Sequence, residues 1–229
     1  MEKKEVIDQY TLTTVTELRQ KHEISWLYQV IKRVLDIILS LLALTVLVPF
    51  FIVLFCCYRI GDNHGPMFYK QPRVGRNGKI FQIYKFRSMV VNADEILQSD
   101  SALYQKYVLN NYKLNPEEDP RITKLGRMLR QRSIDELPQF INILKGEMSL
   151  VGPRPVIEAE LEEYGDQAET FLSVTPGAMG YWQAHGRSNI PYPYRVNYEL
   201  YYVDHACFRL DLQIVFKNII SIFKKDGAY

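Results

Sequence analysis

Residues 37–58 read IILSLLALTVLVPFFIVLFCCY, an apolar run without a single charged side chain. At a rise of about 1.5 Å per residue, a helix of about 22 residues is long enough to cross the hydrocarbon core of a bilayer. The rest of the chain offers too little apolar surface to cover such a helix, which disfavours burial inside a soluble core. The run therefore predicts a membrane helix, and any chemistry in the other residues is expected at one membrane face.

Basic residues flank this run on both sides. Lys32 and Arg33 precede it. The basic residues that follow it are Arg59, Lys70, Arg73, Arg76, Lys79, Lys85 and Arg87. Positive residues mark the cytoplasmic ends of membrane segments, so both ends are predicted to be cytoplasmic. A single straight crossing would place one basic end on the wrong side of the membrane.

Pro49 lies past the middle of the run and offers a way to reconcile the two ends. An interior proline removes one helical hydrogen bond and kinks the helix. A helix bent here could enter and leave by the same face, whereas an ordinary kinked transmembrane helix is the equal alternative from the residues alone. The carbonyl freed by the proline needs a partner at membrane depth, for which Ser40 and Thr45 are candidates.

The composition narrows the class of protein. The chain has 229 residues, with 28 Lys and Arg against 26 Asp and Glu, and a formal net charge of +2. This balance gives no reason to predict a nucleic-acid partner. Cys56 and Cys57 are adjacent in the apolar run and Cys207 is alone, a pattern that does not indicate a metal site or a disulfide framework.

The remaining chain alternates strand and helix patterns, which predicts an α+β, mostly helical domain. Residues 68–91 are expected to be extended and to turn at Asn77-Gly78. Helices are predicted over three further ranges, 93–109, 121–131 and about 135–144. An apolar helix over 210–223 either lies on the membrane surface or docks against the core.

The segment Arg130-Gln-Arg-Ser-Ile-Asp-Glu-Leu-Pro138 is the densest candidate for chemistry, because two adjacent carboxylates follow arginines at a predicted helix start. The structural interpretation is a capping box of Ser133 and Glu136. Pro138 weakens it, since with Ser133 as the cap the proline stands where its missing N–H is needed. With Asp135 as the cap, that N–H is not needed.

The functional interpretation of the same segment is phosphoryl transfer. A helix N-terminus with flanking arginines attracts phosphate. A carboxylate held there can attack phosphorus and form an acyl phosphate. Because an anionic substrate repels a carboxylate, arginines and a Mg²⁺ ion are expected to screen the approach.

Two further stretches are candidates for phosphate or sugar binding. Arg154 stands between two prolines that fix its backbone direction, which suits bidentate phosphate binding, although a surface salt bridge is the simpler alternative. The glycine-rich stretch 175–189 contains Gln183 and Arg187, which suit contact with a nucleotide or sugar. His185 in the same stretch could act as a base, but a lone histidine is more often structural.

Together these motifs resemble the bacterial sugar transferase family, the monotopic phosphoglycosyl transferases that act on polyprenol phosphate. The resemblance extends over about residues 31–223. The matching runs are Lys32-Arg-x-x-Asp36, Lys79-Ile-Phe-x-Ile-Tyr-Lys-Phe-Arg-Ser-Met89, Asp119-Pro-Arg-Ile-Thr-Lys-x-Gly126, Arg130-x-x-Ser-Ile-Asp-Glu-Leu-Pro-Gln139 and Leu144-Lys-Gly-Glu-Met-Ser-Leu-Val-Gly-Pro-Arg-Pro155. Several long runs in this order are far more specific than a single short motif.

The resemblance implies a monotopic membrane protein of three parts. An N-terminal extension would cover 1–30, a re-entrant helix broken at Pro49 would cover 31–60, and a cytoplasmic phosphoglycosyl transferase domain with surface-lying amphipathic helices would cover 61–229. The protein would lie in the bacterial inner (cytoplasmic) membrane, in contact with membrane lipid, with its active site on the cytoplasmic face. The family therefore favours the bent helix over the straight one, and a homodimer is left open.

The implied reaction moves a sugar 1-phosphate from a UDP-sugar to undecaprenyl phosphate, the initiating step of exopolysaccharide, capsule or other surface-glycan synthesis. In a ping-pong mechanism, Asp135 would attack the β-phosphate, release UMP and carry the sugar phosphate. Glu136 would assist it, and Mg²⁺ would lie beside Asp135. The residues expected to bind substrate or phosphate are Arg130, Arg154, Arg187, Gln183, Lys85 and Arg87.

Some positions depart from the family pattern. Val48 precedes Pro49 where serine is frequent, Thr175 stands where many members have arginine, and Ala178-Met179 replaces a more usual Ile/Leu-Thr pair. The last two changes lie in the stretch expected to contact the nucleotide sugar, so the transferred sugar is left open. Two alternatives also stay open: direct transfer without a covalent intermediate, and a non-catalytic membrane protein that binds polyprenyl phosphate or regulates polysaccharide assembly.

Overall fold

The computed structural model describes residues 24–109, 114–115, 117–186 and 190–224, and its architecture is the predicted α+β, mostly helical one. The helices are α1 (Trp26–Cys57), α2 (Ala93–Ser99), α3 (Ser101–Leu109), α4 (Lys124–Gln131), α5 (Gln139–Lys145), α6 (Ala168–Phe171), α7 (Tyr194–His205) and α8 (Phe208–Lys224). The strands are β1 (Phe68–Val74), β2 (Ile80–Phe86), β3 (Ser149–Val151) and β4 (Gly177–Met179). Short 3-10 helices cover Gly61–Asn63, Arg76–Gly78, Ile134–Glu136, Glu158–Gln167 and Gln183–His185.

Helix α1 runs without interruption for 32 residues and includes Pro49. Within the described ranges, it is the one helix long and apolar enough to cross a membrane. Most of its apolar side chains are exposed, which is compatible with membrane association. The Thr45 hydroxyl donates to the Leu41 carbonyl at 2.8 Å, and the Ser40 hydroxyl has no partner among the described residues. Neither therefore serves the carbonyl that Pro49 frees.

The N-terminal part of α1 is tied to the rest of the protein by the charged residues that precede the apolar run. Arg33 donates to the carbonyls of Ile143 and Leu144, at 2.5 and 2.7 Å, and so caps the end of α5. Asp36 accepts the Leu150 N–H at 2.9 Å. Arg33 and Asp36 therefore both attach α1 to the rest of the protein.

The C-terminal end of α1 is tied down by apolar packing. Leu54 is only 2% exposed and forms a buried cluster with Tyr58, Phe86 and Leu129, which brings α1, β2 and α4 together. No residue is buried between Ser40 and Leu54. The middle of α1 therefore stands away from the protein, while both of its ends contact it.

Strands β1 and β2 form an antiparallel hairpin, with Phe68 opposite Phe86 and Val74 opposite Ile80. The turn follows the Asn-Gly signal, since Asn77 adopts a left-handed backbone with φ of 56°. The predicted turn and the extended structure are confirmed over 68–86, whereas residues 87–91 lie beyond the end of β2. A second, parallel pair joins β3 and β4.

Asn142 of α5 fastens the hairpin to that helix. Its side chain is fully buried. The carbonyl oxygen accepts the Tyr84 N–H at 2.9 Å, and the amide group donates to the Gln82 carbonyl at 2.7 Å. Lys85, a candidate site residue, is the next residue after Tyr84 on β2. The hydrogen bonds of Asn142 therefore fix this part of the strand beside α5.

The helices predicted over 93–109 and 121–131 differ from the observed ones. The helix expected over 93–109 is divided at Asp100, whose carboxylate accepts two backbone N–H groups and caps α3. The helix expected over 121–131 begins only after Thr123, whose hydroxyl accepts the Gly126 N–H at 2.9 Å. In both cases a short polar side chain captures backbone donors and sets the boundary.

Helix α8 combines the two alternatives left open for the apolar segment near the end of the chain. Its inner face docks against the core through Leu210, Ile214 and Asn218. Its outer face exposes Leu212, Phe216 and Ile219. The helix is thus a docking helix that also presents an apolar stripe to its surroundings, compatible with a membrane surface.

Candidate active site

The adjacent carboxylates lie on a tight turn, and not at the start of a helix. Residues 134–136 form a 3-10 turn, and α5 begins only after Pro138. Ser133 has a left-handed backbone with φ of 54°, which turns the chain before the predicted cap position. Neither Ser133 nor Pro138 makes a side-chain capping hydrogen bond, so the expected helix start near Asp135 and the capping box are both wrong.

Glu136 is held between two cations. The Lys85 ammonium lies 2.9 Å from Oε1 of Glu136, and the Arg154 guanidinium lies 3.7 Å from the same oxygen. All three side chains are partly buried. The structure therefore brings together three sequence-predicted site residues, which come from β2, from the turn, and from the elbow Pro153-Arg154-Pro155 after β3.

Asp135 lies in a less well compensated environment. Burial and the neighbouring charge of Glu136 raise its pKa, while Lys85 and Arg130 act in the opposite direction. A raised carboxylate pKa means that the site stabilises the ionised form less well than water does. A substrate-bound cation placed beside Asp135 would supply compensating positive charge.

Arg130 is positioned by an unusually close approach of α4 to the backbone that follows β2. Its Nε donates to the Ser88 hydroxyl at 2.7 Å. A Cβ atom on Gly126, one turn earlier in α4, would lie 1.9 Å from the Ser88 carbonyl oxygen. Glycine at 126 thus permits the contact that places Arg130 near Asp135. Burial lowers the pKa of Arg130, and the charge of Asp135 counteracts this.

The motif Asp119-Pro-Arg-Ile-Thr-Lys-x-Gly126, which ends at this glycine, begins with a buried ion pair. Asp119 accepts the backbone N–H of Arg121 and, through both carboxylate oxygens, its guanidinium at 2.8 Å. Burial raises the pKa of Asp119, but the hydrogen bonds from Arg121 outweigh it and hold the pKa below its usual value. This pair shapes the loop that leads into α4.

The elbow that carries Arg154 is held by a residue outside the motifs described above. Glu199 of α7 is fully buried, and its two carboxylate oxygens lie 3.2 and 3.3 Å from the Arg154 backbone nitrogen. Arg195, one turn earlier, lies 3.5 Å from the same carboxylate. A signal existed in the sequence: Glu199 lies at helical spacing from the apolar Val196 and Val203, on the buried face of α7.

Arg87 does not join the carboxylates in this arrangement. Its guanidinium donates to the carbonyls of Pro66 and Met89, at 2.7 and 3.0 Å, and to that of Asn63. It also stacks on Tyr58 at 5.4 Å. Arg87 therefore braces the loop after α1, and its contact with phosphate stays a prediction.

The glycine-rich stretch is only partly described. The Gln183 carbonyl oxygen accepts the Gly180 N–H at 2.5 Å, so this end of the side chain shapes its own loop. Both ring nitrogens of His185 are engaged, one by a backbone carbonyl and one by Lys217 at 2.7 Å. His185 is therefore structural, in line with the simpler interpretation. Arg187 lies outside the described residues.

A resident metal centre made of protein side chains is not found in the described ranges, which contain no group of three or more His, Cys, Asp or Glu suited to hold an ion. Mg²⁺ is commonly bound by one or two carboxylates, with water and substrate phosphates completing its shell. By donor chemistry Asp135 would be the ligand for such an ion, because its carboxylate supplies hard oxygen atoms and the neighbouring Glu136 is already paired with cations.

The sequence is similar to those of known proteins. The family model described as bacterial sugar transferase matches residues 27–225. The chain is 42% identical over 202 residues to an undecaprenyl-phosphate galactose phosphotransferase of Salmonella typhimurium. It is 42% identical over 202 residues to the exopolysaccharide production protein ExoY of Sinorhizobium fredii. It is 33% identical over 217 residues to a UDP-glucose:undecaprenyl-phosphate glucose-1-phosphate transferase of Escherichia coli.

The relatives differ in length. The alignments cover 87%, 86% and 90% of this chain, in the order above. They cover 42% of the Salmonella protein, 88% of ExoY and 43% of the Escherichia coli protein. The chain thus spans less than half the length of two of these relatives and most of the length of the third.

Proposed function

Because the chain belongs to the bacterial sugar transferase family, we propose that it transfers a sugar 1-phosphate from a UDP-sugar to undecaprenyl phosphate and releases UMP. The observation that carries the proposal is the Asp135-Glu136 pair on its turn, with Lys85 and Arg154 bound to Glu136 and Arg130 beside Asp135. The names of the relatives, which refer to undecaprenyl phosphate and to exopolysaccharide production, support the acceptor and the initiation of surface-glycan synthesis.

The first step of the proposed ping-pong mechanism is nucleophilic attack by a carboxylate oxygen of Asp135 on the β-phosphorus of the donor. The bond between that phosphorus and the oxygen bridging to the α-phosphate breaks, and UMP leaves with that oxygen. The sugar 1-phosphate stays on Asp135 as an acyl phosphate. No proton has to be removed from the nucleophile, since the ionised carboxylate is itself the attacking group.

In the second step, a phosphate oxygen of undecaprenyl phosphate attacks the same phosphorus. The bond from phosphorus to the Asp135 oxygen breaks, which regenerates the carboxylate and yields the undecaprenyl-diphosphate sugar. Both steps bring anions together, so the main task of the protein is to place positive charge at the phosphate oxygens.

The side chains that supply this charge come from three parts of the fold. Glu136 holds Lys85 and Arg154 at one oxygen, which orients both cations toward the turn. Arg130 approaches from α4 and is fixed by the Ser88 hydroxyl. A Mg²⁺ ion held by Asp135 and by donor phosphates would add screening charge at the reacting phosphate.

We also propose that α1 is re-entrant and that the active site lies on the cytoplasmic face of the bacterial inner membrane. Arg33 and Leu54 are separated by about 32 Å in a straight helix, at about 1.5 Å per residue. Their partners lie closer together: Arg33 binds the end of α5, and Leu54 belongs to a cluster that also packs against Leu137, just before α5. A bend near Pro49 would bring the two ends of α1 closer to these partners, which supports the re-entrant path.

Labelling from either side of the membrane tests this topology. In a variant with Cys56, Cys57 and Cys207 replaced by serine, single cysteines at the exposed Ser25 and Asp62 are expected to react with a charged thiol reagent only from the cytoplasmic side. Val46→Cys in the exposed middle of α1 is the control, expected to stay unlabelled from both sides. Periplasmic labelling of position 25 or 62 would restore the straight helix.

The donor reaction tests the proposed activity. Purified protein with Mg²⁺ is expected to release UMP from one UDP-sugar of a panel that includes glucose, galactose and N-acetylated sugars. Release without a lipid acceptor should stop after about one equivalent per protein, because the sugar phosphate occupies Asp135. Release by no donor would contradict the activity, and release that strictly requires the lipid would favour direct transfer.

A further inference from the structure

We infer that Glu199 is a positioning residue for the reaction, which holds the elbow at Arg154 so that the Arg154 guanidinium faces the donor phosphates. This inference rests on the proposed function and deepens it. It concerns a residue from α7 that is remote in sequence from the carboxylate turn.

The elbow offers only one backbone donor to hold. Pro153 and Pro155 have no N–H, so Arg154 contributes the single N–H of the three residues. Both carboxylate oxygens of Glu199 lie within hydrogen-bond distance of it, at 3.2 and 3.3 Å. A charged acceptor on an amide N–H is among the stronger hydrogen bonds in proteins.

The opposite edge of the elbow is also held. The Arg73 guanidinium, from β1, donates to the Pro155 carbonyl at 3.3 Å and lies 3.5 Å from Glu160. The backbone between these two contacts is short and made rigid by proline. Its remaining freedom lies in the Arg154 side chain, which reaches Glu136 at 3.7 Å.

The burial of Glu199 indicates that the carboxylate has a specific role. A fully buried carboxylate is unfavourable unless it is paired and hydrogen-bonded. Its neighbours are Arg195 on its own helix, Arg154 on the elbow, and the ring hydroxyls of Tyr164 and Tyr192. Arg195 is itself stacked on Trp182, at 4.3 Å, and on Tyr192. The ion pair of Glu199 and Arg195 is therefore held in place by aromatic rings on the side next to the elbow.

The charge state of Glu199 is sensitive to pH near neutrality. Burial raises its pKa to about 7, against the lowering effects of Arg195 and Arg154. Above that pH both oxygens are acceptors for the Arg154 N–H. Below it one oxygen becomes a hydroxyl, and the elbow loses part of its hold.

Donor kinetics separate positioning from simple stabilisation. Glu199→Ala is expected to raise the donor KM for UMP release by about tenfold, the scale of one lost charge-assisted hydrogen bond. Glu199→Gln keeps an acceptor oxygen without the charge, so the rise should be smaller. Val203→Ala, on the same buried face one turn further along α7, is the matched control and is expected to lower stability but leave the donor KM unchanged.

A pH series supplies a readout that a structural role would not move. The donor KM of the wild type is expected to rise as the pH falls from 8 to 6, and Glu199→Gln at pH 8 should resemble the wild type at pH 6. The variant itself should show a flatter profile. If Glu199→Ala fails to fold, Glu199→Gln carries the test alone.

The outcomes distinguish this inference from the function on which it rests. If the wild type releases UMP, and both Glu199 variants match it in donor KM and in pH profile, the positioning role is wrong while the proposed function stands. If the wild type releases UMP from no donor, the proposed function fails and the inference fails with it.

Discussion

Transfer activity is expected to fall by about 10⁴-fold or more in Asp135→Asn, the loss typical of removing a covalent nucleophile. Asparagine has the same shape as aspartate, but its amide does not attack phosphorus. The folded state should be unaffected or slightly more stable, because burial and the charge of Glu136 already raise the pKa of Asp135 and disfavour its ionised form. Activity and stability therefore move independently in this variant.

Three measurements decide this prediction. UMP release gives the activity, thermal unfolding in the same detergent gives the stability, and intact-mass analysis of quenched reactions detects the sugar phosphate on the protein. Asp166→Asn makes the same chemical change at an exposed position and should behave as the wild type. Full activity in Asp135→Asn would remove Asp135 as the nucleophile. Steady product formation by the wild type, with no adduct from any donor, would favour direct transfer.

Gly126→Ala is expected to lower the free energy of unfolding by about 3 kcal/mol, the upper end of the usual range for overpacking. Helix propensity alone predicts the opposite, a gain of about 1 kcal/mol for alanine inside a helix. The steric term prevails because the new Cβ would lie 1.9 Å from the Ser88 carbonyl oxygen, a backbone atom without a flexible side chain to move aside. Helix α4 has to shift, and Arg130 shifts with it.

Thermal unfolding and UMP release of purified Gly126→Ala test this expectation together. Gly78→Ala is the control: its φ is +77° and nothing lies within 4 Å of the added Cβ, so only backbone strain of about 1 kcal/mol is expected. A Gly126→Ala protein that is as stable and active as the wild type would show that α4 does not need its close approach to Ser88.

The features that local sequence patterns determine were predicted well. The apolar run predicted α1, and Asn77-Gly78 predicted the hairpin turn, because hydrophobicity and left-handed turn residues act within a few positions. The spacing of the carboxylates singled out the turn at 135–136. The predicted start of α5 was wrong, because Ser133 adopts a left-handed backbone, which is uncommon for serine and is not indicated by the local sequence.

The roles that depend on contacts distant in sequence were harder to predict. The guanidinium of Arg87 donates to loop carbonyls that only the folded chain brings near. Glu199 lies 45 residues after Arg154, and nothing in either neighbourhood indicates that their backbone and side chain meet. Pairings of this kind follow from tertiary packing, which a single sequence does not encode in readable spacing.

The anchoring of α1 at both ends has a consequence for how the protein meets its acceptor. Arg33 donates to the end of α5, and Leu54 packs against Leu129, next to Arg130. The carboxylate turn therefore has a fixed position relative to α1. Under the proposed function, the depth at which α1 comes to rest fixes the height of Asp135 above the lipid headgroups. Bilayer thickness then acts as a reaction variable, because it sets how easily an acceptor phosphate rises to that height.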